Sequence, residues 1–531
     1  MTDDDVLIIG AGLAGLVTAA TLTAQGRHVT ILEQEPRASL GGQAFWSFGG
    51  LFLVDSPEQR RLGVKDSADL AFSDWLGSAQ FEPGADHGHG PDRWGYAWAE
   101  RFVDFAAGDM RPWLHGLGVR WFPLVQWAER GGHPAGGHGN TVPRFHVTWG
   151  TGPGILEPFV RAAVEARHAG LLDIRFRHRV TGLVTTDGAV TGVRAEVLAP
   201  DDAGRGEPSG RSVVREVELG ARAVVVATGG IGANHELVRA SWPATAGRLP
   251  TTMLSGVPDS TDGEMLARAA AAGAALVHTD RMWHYPEGVE MHTPVWRRHG
   301  IRILPGPSSL WLDADGNRLP HPLYPGFDAL GALQHVTNRG DDHSWFVLNR
   351  TIMEKEFALS GSDQNPDLTG KDVRLLLERV RKGAVGPVAR FADESPEFVW
   401  APTVAALAAG MNALSGEQRI DAAALARLVA LRDAQVTSGL GKDPQVVATA
   451  RAREYVVDKV IRVAPPRPLT TPEDGPLLAV RLRVLTRKTL GGLHTDTSAR
   501  VLRPDGEVLP GLYAVGEAAG FGGGGVHGRS E

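Results

Sequence analysis

The apolar residues near the start of the chain form two short continuous runs with a helical pattern between them. Residues 6–9 (Val-Leu-Ile-Ile) and 29–32 (Val-Thr-Ile-Leu) suit strands that are buried on both faces of a parallel sheet. Between the two runs, apolar residues recur at helical spacing at Leu13, Leu16, Val17, Ala20 and Ala24. The pattern predicts a strand–helix–strand unit.

The turn between the first strand and the helix is rich in glycine. Gly10, Gly12 and Gly15 form a GxGxxG motif, and the second strand ends on Glu33. Gly10 permits a tight turn, Gly12 lets a pyrophosphate approach the backbone, and Gly15 lets the helix pack closely on the strand. The helix N-terminus attracts phosphates, and Glu33 can accept hydrogen bonds from a ribose. The unit predicts a dinucleotide site and leaves open whether the ligand is NAD or FAD.

Three more glycine-rich clusters follow, at residues 41–50, 228–230 and 516–517. The clusters at 228–230 and 516–517 come directly after apolar runs at 224–227 and 511–515, as expected where parallel strands end against an extended ligand. The cluster at 41–50 is called the second glycine cluster, after the GxGxxG turn. Only the GxGxxG motif at residues 10–15 lies between an apolar run and a helical pattern, which disfavours a flavoprotein that also binds a nicotinamide nucleotide.

Composition narrows the function classes. The 531 residues, 43% of them hydrophobic, suffice for two to four domains. A net charge of -7 without a long basic run makes nucleic acid an unexpected partner. The chain has no cysteine, which excludes disulfides, thiolate metal sites and cysteine nucleophiles, and its histidines lack ligand companions, so no metal site is expected.

The remaining patterns concern location and the middle of the chain. No stretch approaches the ~18 consecutive apolar residues of a transmembrane segment, and the chain starts with acidic residues, so a cytoplasmic protein is expected. Residues 367–459 are rich in Ala, Leu, Arg and Glu at helical spacing, which predicts helices. Residues 201–210 are interpreted as a polar surface loop.

Six blocks carry a family resemblance: VLIIGAGLAGL with ILE, LGGQAFWSFGG, AVVVATGG, STDGEMLARAAAAGA, TLGGLHTD and PGLYAVGEAAGFGGGGVHG. In this order and spacing they resemble the fumarate reductase and succinate dehydrogenase flavoprotein superfamily, and within it the 3-ketosteroid dehydrogenase-like flavoproteins. The resemblance implies an α/β fold. A Rossmann-like FAD-binding domain on a parallel sheet would be discontinuous, over residues 1–277 and 488–531, with an inserted α+β capping domain over 278–487. The family continues into one more helix, so the second part of the FAD domain is expected to be truncated.

The resemblance also implies the cofactor contacts. The pyrophosphate, the adenosine and the flavin with its ribityl chain would be bound by Gly10, Gly12, Leu13, Ala14, Gly15, Glu33, Gln34, Gly41, Gly42, Gln43, Ser47, Gly49, Gly50, Val180, Ala227, Thr228, Gly229, Asp262, Gly516 and Glu517.

Five residues are candidates for catalysis on the same basis. Tyr324 takes the place of the proton-donating arginine of fumarate reductases and of a tyrosine of ketosteroid dehydrogenases. His284 and Tyr285 match a substrate-contacting position, and His146 lies in a segment expected to pass over the flavin. Arg487 precedes the TLGG block, where fumarate reductases have a substrate-binding histidine. Each also has a simpler interpretation as a structural residue, and the sequence leaves both open.

Two departures from the family bear on the substrate. Fumarate reductases place a dicarboxylate-clamping arginine three positions beyond the GGVHG block, whereas here Arg529 follows residues 524–528 directly, which counts against a C4-dicarboxylate. Ketosteroid delta-1 enzymes carry tyrosines in this stretch, where Phe521 and His527 stand here, which weakens the steroid interpretation without removing it.

The resemblance implies an FAD-dependent dehydrogenase or reductase that acts on a CH–CH group next to a carbonyl in a small hydrophobic, ketosteroid-like substrate. Electrons would pass to a quinone or another acceptor. One alternative is a fumarate reductase-like enzyme in which Arg487 binds the carboxylate of an unsaturated acid. Another is a flavin-bound sensing or binding protein without turnover.

The FAD is expected to be bound non-covalently. Succinate dehydrogenases join FAD to a histidine near the second glycine cluster, and residues 38–45 contain no histidine. Acid precipitation of the yellow protein should therefore release all the flavin into the supernatant, measured by its absorbance. Flavin that stays on the washed precipitate would show a covalent bond.

Overall fold

The computed structural model describes residues 4–131, 140–378 and 386–523. The strands are β1 (Asp4–Ile9), β2 (Val29–Glu33), β3 (Gly50–Phe52), β4 (Phe145–Val147), β5 (Leu172–Phe176), β6 (His178–Thr186), β7 (Ala189–Leu198), β8 (Val213–Val226), β9 (Met253–Ser255), β10 (Leu276–Val277), β11 (Met282–Glu290), β12 (Gly300–Leu304), β13 (Leu310–Leu312), β14 (Ser344–Asn349), β15 (Ala358–Leu359), β16 (Phe398–Ala401), β17 (Leu477–Thr489), β18 (Gly492–Leu493), β19 (Arg500–Leu502) and β20 (Val508–Ala514).

The α-helices are α1 (Leu13–Ala24), α2 (Pro57–Arg61), α3 (Ala68–Ala79), α4 (Arg93–Ala107), α5 (Met110–Gly116), α6 (Thr151–His168), α7 (His235–Ala240), α8 (Glu264–Ala271), α9 (Ala329–Asn338), α10 (Arg350–Glu356), α11 (Pro366–Thr369), α12 (Val373–Glu378), α13 (Gly386–Glu394), α14 (Val404–Ser415), α15 (Ala422–Ser438) and α16 (Pro444–Ala452). The helices α11 to α16 lie in the region that the sequence predicts to be helical, together with the short strand β16.

The first sheet has a parallel core in the order β20-β8-β1-β2-β5. Ile8 of β1 lies opposite Ile31 of β2 on one side and Val225 of β8 on the other. The four apolar runs that the sequence predicts as strands, namely β20, β8, β1 and β2, are therefore neighbours in one sheet. The short strand β5, which the sequence did not predict, adds to the edge of this sheet beside β2. The antiparallel hairpin of β6 and β7 extends the sheet through the first half of β8.

Both faces of this sheet are buried, which explains the continuous apolar runs. Ile8 belongs to a core cluster that includes residues of α1 and α6, such as Leu16 and Phe159. Leu7 and Ile9 belong to a second cluster on the other face. Successive side chains of a strand point to opposite faces, so a strand covered on both sides needs apolar residues at every position.

The second eight-stranded sheet is mostly antiparallel and is organised around the long strand β17. Strands β11, β14 and β16 pair with β17 in antiparallel orientation, and β9 pairs with it in parallel orientation. Its core contains the fully buried side chains of Trp311, Trp345 and Phe346. The chain thus has the predicted α/β fold, with a parallel-containing sheet and a second α+β layer.

The end of β17 brings the two sheets together. The backbone N–H of Ile231, which follows β8, donates to the Thr489 hydroxyl at the end of β17 over 2.9 Å. Strand β9 belongs to the second sheet although it precedes residue 277, and β17 crosses the position 487/488. The predicted boundaries at 277 and 487 stay a prediction. Within the described ranges, no helix combines the length and the apolar character needed to cross a membrane.

Candidate active site

A cleft of about 310 Å³ runs along the carboxyl ends of the parallel strands, where the glycine turn meets α1. Gly10 has a φ of +104°, and a Cβ atom there would lie 2.7 Å from the carbonyl oxygen of Ala227. A Cβ atom on Gly15 would lie 2.1 Å from the carbonyl oxygen of Gly10. The turn is therefore closed by backbone contacts that only glycine permits, and we call the space in front of it the dinucleotide cleft.

The structure gathers most of the predicted cofactor residues in this cleft. Its lining includes Gly10, Gly12, Leu13, Ala14, Glu33, Gln34, Gly41, Gly42, Gln43, Val180, Ala227, Thr228, Gly229, Asp262, Gly516 and Glu517. Gly15 does not line it, because it is the contact point between α1 and the strand. Ser47, Gly49 and Gly50 line a neighbouring cavity instead.

The polar groups of the cleft suit a nucleotide. The Glu33 carboxylate accepts hydrogen bonds from the backbone N–H groups of Ala11 (2.7 Å) and Glu35 (2.9 Å), and burial raises its pKa. No side chain of the described ranges caps the first turn of α1, and Gly12 at its N-cap lines the cleft. The Thr228 hydroxyl is buried beside the cleft and has no hydrogen-bond partner within the described parts of the chain. An open helix N-terminus and an unpartnered hydroxyl fit the phosphates and hydroxyls of a dinucleotide.

A network of four residues lies at the inner end of the cleft. Lys488 donates to Gln43 over 3.0 Å and forms an ion pair with Glu517 at 3.4 Å. The Gln43 amide also donates to Glu517. The other Glu517 oxygen accepts the backbone N–H of Thr489 over 2.8 Å. We call these four residues the junction network, since they connect β17, the second glycine cluster and the turn after β20.

A second cavity of about 780 Å³ adjoins the dinucleotide cleft, and Lys488, Gly516 and Glu517 line both. Its apolar wall is aromatic and consists largely of Phe48, Phe52, Trp75, Trp98, Phe102, Trp127, Phe145, Trp283 and Phe521. A cavity of this size and character suits a bulky hydrophobic molecule. We call it the substrate cavity.

One wall of the substrate cavity carries a buried cluster of charges. Arg302 of β12 forms ion pairs with Glu287 (3.2 Å) and Glu129 (3.4 Å). Burial by itself lowers the pKa of Arg302, but the two carboxylates outweigh it and raise that pKa. The guanidinium lies over the ring of Tyr285, 3.9 Å from the ring centre. Arg302 is thus a compensated cation that holds the Tyr285 ring in place.

Arg487 is the contrasting cation of the same wall. It lines the substrate cavity, and its side chain forms no hydrogen bond or ion pair with any residue in the described part of the chain. Burial lowers its pKa, but a guanidinium stays protonated in proteins. A half-buried charge without a counter-ion is costly, so this position is suited to an electron-rich group of a ligand.

Strand alternation separates the candidates that the sequence places side by side. Trp283 and Tyr285 of β11 line the substrate cavity, whereas His284 points to the other face and stacks on Trp242, with ring centres 5.3 Å apart. Burial lowers the pKa of His284 to about 3. Phe145 of β4 lines the cavity in the same way.

His146, the next residue of β4, is turned away from the cavity. Its ring nitrogens lie 2.7 Å from the Ser56 hydroxyl and 2.8 Å from the carbonyl oxygen of Arg144. Burial lowers its pKa to about 4. Neither His146 nor His284 is therefore among the described residues that line the substrate cavity.

Tyr324 is also outside the cavity lining. Its hydroxyl is hydrogen-bonded to His321, its ring packs edge-on against Phe327, and burial raises its pKa. The same loop reaches the cavity only through Gly326, whose carbonyl oxygen accepts the backbone N–H of Arg130. Of the five catalytic candidates, the structure brings Tyr285 and Arg487 together at the cavity.

Sequence reasoning did not single out Arg302 or the Arg130–Asp458 ion pair (2.8 Å), although all three residues line the cavity. A signal for Arg302 was present, because a charge between Ile301 and Ile303 in an apolar strand requires a buried partner. Residues 524–531, which include the expected positions of His527 and Arg529, lie outside the described residues.

Comparison with known proteins agrees with this geometry. The chain matches the model of the FAD binding domain family over residues 5–531. It is 55% identical over 530 residues to a KsdD-like steroid dehydrogenase of Mycolicibacterium smegmatis, covering 99% of this chain and 95% of that protein. It is likewise 55% identical over 525 residues to a KsdD-like steroid dehydrogenase of Mycobacterium tuberculosis, covering 99% and 91%.

A solved structure shares the fold over nearly the whole chain. It is the 3-ketosteroid delta1-dehydrogenase of Sterolibacterium denitrificans in complex with 1,4-androstadiene-3,17-dione. The TM-score is 0.63 at 17% identity, with 98% of this chain and 94% of that chain covered.

The unpartnered hydroxyl in the cleft gives a direct test of cofactor binding. Replacing Thr228 by valine keeps its shape and should weaken FAD binding about five- to tenfold, the value of one hydrogen bond, without lowering the stability of the apoprotein. Thr148→Val is the matched control, because the Thr148 hydroxyl is also buried without a partner among the residues that the structure describes, but does not line the cleft. Flavin fluorescence titration measures both affinities. Equal affinities in the two variants would show that FAD makes no bond to Thr228.

Proposed function

This chain belongs to the FAD binding domain family, and we propose that it forms or reduces a C=C bond next to a carbonyl in a steroid-like ketone. The observation that carries the proposal is the aromatic cavity of about 780 Å³ that shares Lys488, Gly516 and Glu517 with the dinucleotide cleft. A substrate in this cavity lies beside a cofactor in the cleft. The names of the two 55% identical relatives, both steroid dehydrogenases, support the substrate class.

Bound FAD supplies the hydride chemistry of the reaction. We assign its phosphates to the turn at Gly10 and Gly12 and the first turn of α1, and its ribose to Glu33. The protein's own part is to exclude water, orient the substrate, polarise the carbonyl and move one proton.

The aromatic wall binds the body of the substrate. Trp98 and Phe102 of α4 face the cavity together with Phe52 and Trp75. Large aromatic side chains bury much apolar area and stack against flat ring systems. They also keep water away from the reacting carbons, which strengthens every electrostatic interaction at the polar wall.

Arg487 is the group that we assign to the carbonyl oxygen. Its guanidinium has no partner to give up among the described residues, so all its donors at the cavity are available to a substrate. A cation beside the oxygen stabilises the negative charge that develops there when a proton leaves the neighbouring carbon. This role needs a charge that stays in place, which a guanidinium provides.

Tyr285 is the group that we assign to the proton. It lines the cavity on the strand next to Arg487, and Arg302 fixes the ring from one face. As a phenolate, Tyr285 would accept the proton that leaves the carbon during dehydrogenation, and as a phenol it would return a proton during reduction. In the phenolate form it lies within the electrostatic reach of both arginines. Tyr324 and His284 do not line the cavity beside the two arginines, and His146 is hydrogen-bonded to Ser56 outside it.

An unsaturated acid is the second candidate substrate, and Arg487 is the observation that favours it, because an unpaired guanidinium also binds carboxylates. A C4-dicarboxylate would leave most of the substrate cavity unfilled. We further propose a quinone or another external compound as the electron acceptor, since the sequence holds a single GxGxxG motif between an apolar run and a helical pattern. A cytoplasmic location stays a prediction.

Anaerobic mixing tests the substrate class. A saturated or partly saturated 3-ketosteroid should bleach the flavin absorbance of the holoenzyme near about 450 nm, because it can donate a hydride. Succinate serves as the comparison and should leave the absorbance unchanged. If only succinate bleached the flavin, the substrate would be an acid and not a ketosteroid. If no donor bleached the flavin, the chain would be a flavin-binding protein without turnover.

Tyr285→Phe tests the acid–base assignment. The variant keeps the ring under Arg302 and loses only the hydroxyl, so turnover of the ketosteroid should fall by a factor of about 10² or more while FAD binding is kept. Tyr324→Phe is the matched control, and its turnover should stay near the wild-type value. The reverse pattern, with loss only in Tyr324→Phe, would return the role to Tyr324.

A further inference from the structure

The connection between β7 and β8, residues 199–212, covers the dinucleotide cleft. We call it the cleft loop. The sequence predicts a polar surface loop over 201–210, yet the cleft lining includes Arg205, Gly206, Glu207, Pro208 and Arg211. Loops longer than about 12 residues without secondary structure are uncommon in compact domains and are usually functional or disordered. The contacts of this loop show that it is ordered.

The base of the cleft loop is fixed to the end of β2. Arg177 donates to the carbonyl oxygen of Gln34 over 3.1 Å and to the Ser209 hydroxyl over 2.8 Å. Glu35 accepts from Ser209 over 2.7 Å and forms an ion pair with Arg211 at 2.6 Å. Gln34 and Glu35 directly follow Glu33, so the loop is anchored beside the end of the cleft that we assign to the ribose.

The tip of the cleft loop rests on the second glycine cluster. Arg205 donates to the carbonyl oxygen of Leu40 over 2.6 Å, and its guanidinium lies 3.8 Å from the ring centre of Phe45. A Cβ atom on Gly206 would lie 2.9 Å from the ring of Trp46. The loop therefore contacts the cleft lining at two places, at Glu35 through its base and at Trp46 through its tip.

No carboxylate of the described residues compensates the charge of Arg205. Arg211 is paired with Glu35, whereas Arg205 has no carboxylate partner among the residues that the structure describes. Its guanidinium is half-buried and lines a cleft that also contains the open N-terminus of α1. Arg205 and the N-terminus of α1 therefore both contribute positive potential to the dinucleotide cleft. This potential suits the negatively charged diphosphate of FAD. Guanidinium groups bind phosphate oxygens in bidentate geometry.

We propose that the cleft loop closes over bound FAD and that Arg205 is a counter-charge for the cofactor's diphosphate. The loop then determines how slowly FAD leaves the protein. The proposal rests on FAD binding and is independent of the ketosteroid assignment, so a negative result with steroids does not affect it.

The test is the rate of FAD release from the holoenzyme, followed by the rise of flavin fluorescence after dilution. Arg205→Met removes the charge and keeps the length of the side chain, and it should raise the release rate and the Kd by about ten- to a hundredfold, as for a charge-assisted hydrogen bond. Arg205→Lys keeps the charge and should stay within about fivefold of the wild type. Added salt should speed FAD release in the wild type, because it screens the attraction between Arg205 and the diphosphate. The acceleration by salt should be smaller in Arg205→Met, which lacks this attraction.

Arg215→Met is the matched control, since Arg215 is an exposed arginine of β8 just beyond the same loop. Its release rate should equal that of the wild type. An unchanged rate in Arg205→Met would overturn the proposal. Equal acceleration in Arg205→Met and Arg205→Lys would assign the effect to packing on Phe45 and overturn the counter-charge. Arg205→Gln, which keeps a donor for Leu40, provides a second neutral variant if Arg205→Met does not fold.

Discussion

The two sites of the molecule depend on the junction network around Glu517. Its carboxylate receives hydrogen bonds from the Gln43 amide and the Thr489 backbone and pairs with Lys488. These partners come from parts of the chain more than 400 residues apart, namely the second glycine cluster and the end of β17. In a half-buried network each member depends on the others being satisfied. The network therefore fixes the wall that the dinucleotide cleft and the substrate cavity share.

The charges around this wall differ in how the protein compensates them. Arg302 is held by Glu287 and Glu129, and the cost of burying it is offset within the fold. Arg487 and Arg205 have no carboxylate partner in the described ranges, and each faces a cavity. Compensated charges hold the shape of the site, and uncompensated ones are left for molecules that enter it.

The sequence predicts the parts of the molecule that backbone geometry determines. A glycine turn such as Gly10–Gly15 specifies its strand and helix, and continuous apolar runs specify a sheet covered on both faces. The parallel sheet and the place of the cleft therefore followed from these patterns, whereas the rest of the fold was expected from the family resemblance. The face of a strand on which a given side chain lies was harder to predict from the sequence than the strand itself. Adjacent positions such as His284 and Tyr285 look equivalent in a sequence, yet a strand turns them to opposite faces. The inward course of the cleft loop and the pairing of Arg302 depend on contacts between distant segments, which no local pattern encodes.

The consecutive residues Arg487, Lys488 and Thr489 at the end of β17 all line the substrate cavity. Lys488 also lines the dinucleotide cleft, and Thr489 is hydrogen-bonded to Ile231 and Glu517. Because the three residues are joined by one backbone, a displacement of one of them by a ligand would also move its neighbours and, through them, the lining of the other site. Thermodynamic linkage then requires the two ligands to alter each other's affinity by the same factor. The affinity for the substrate would then depend on whether the cofactor is bound, and the affinity for the cofactor on whether the substrate is bound.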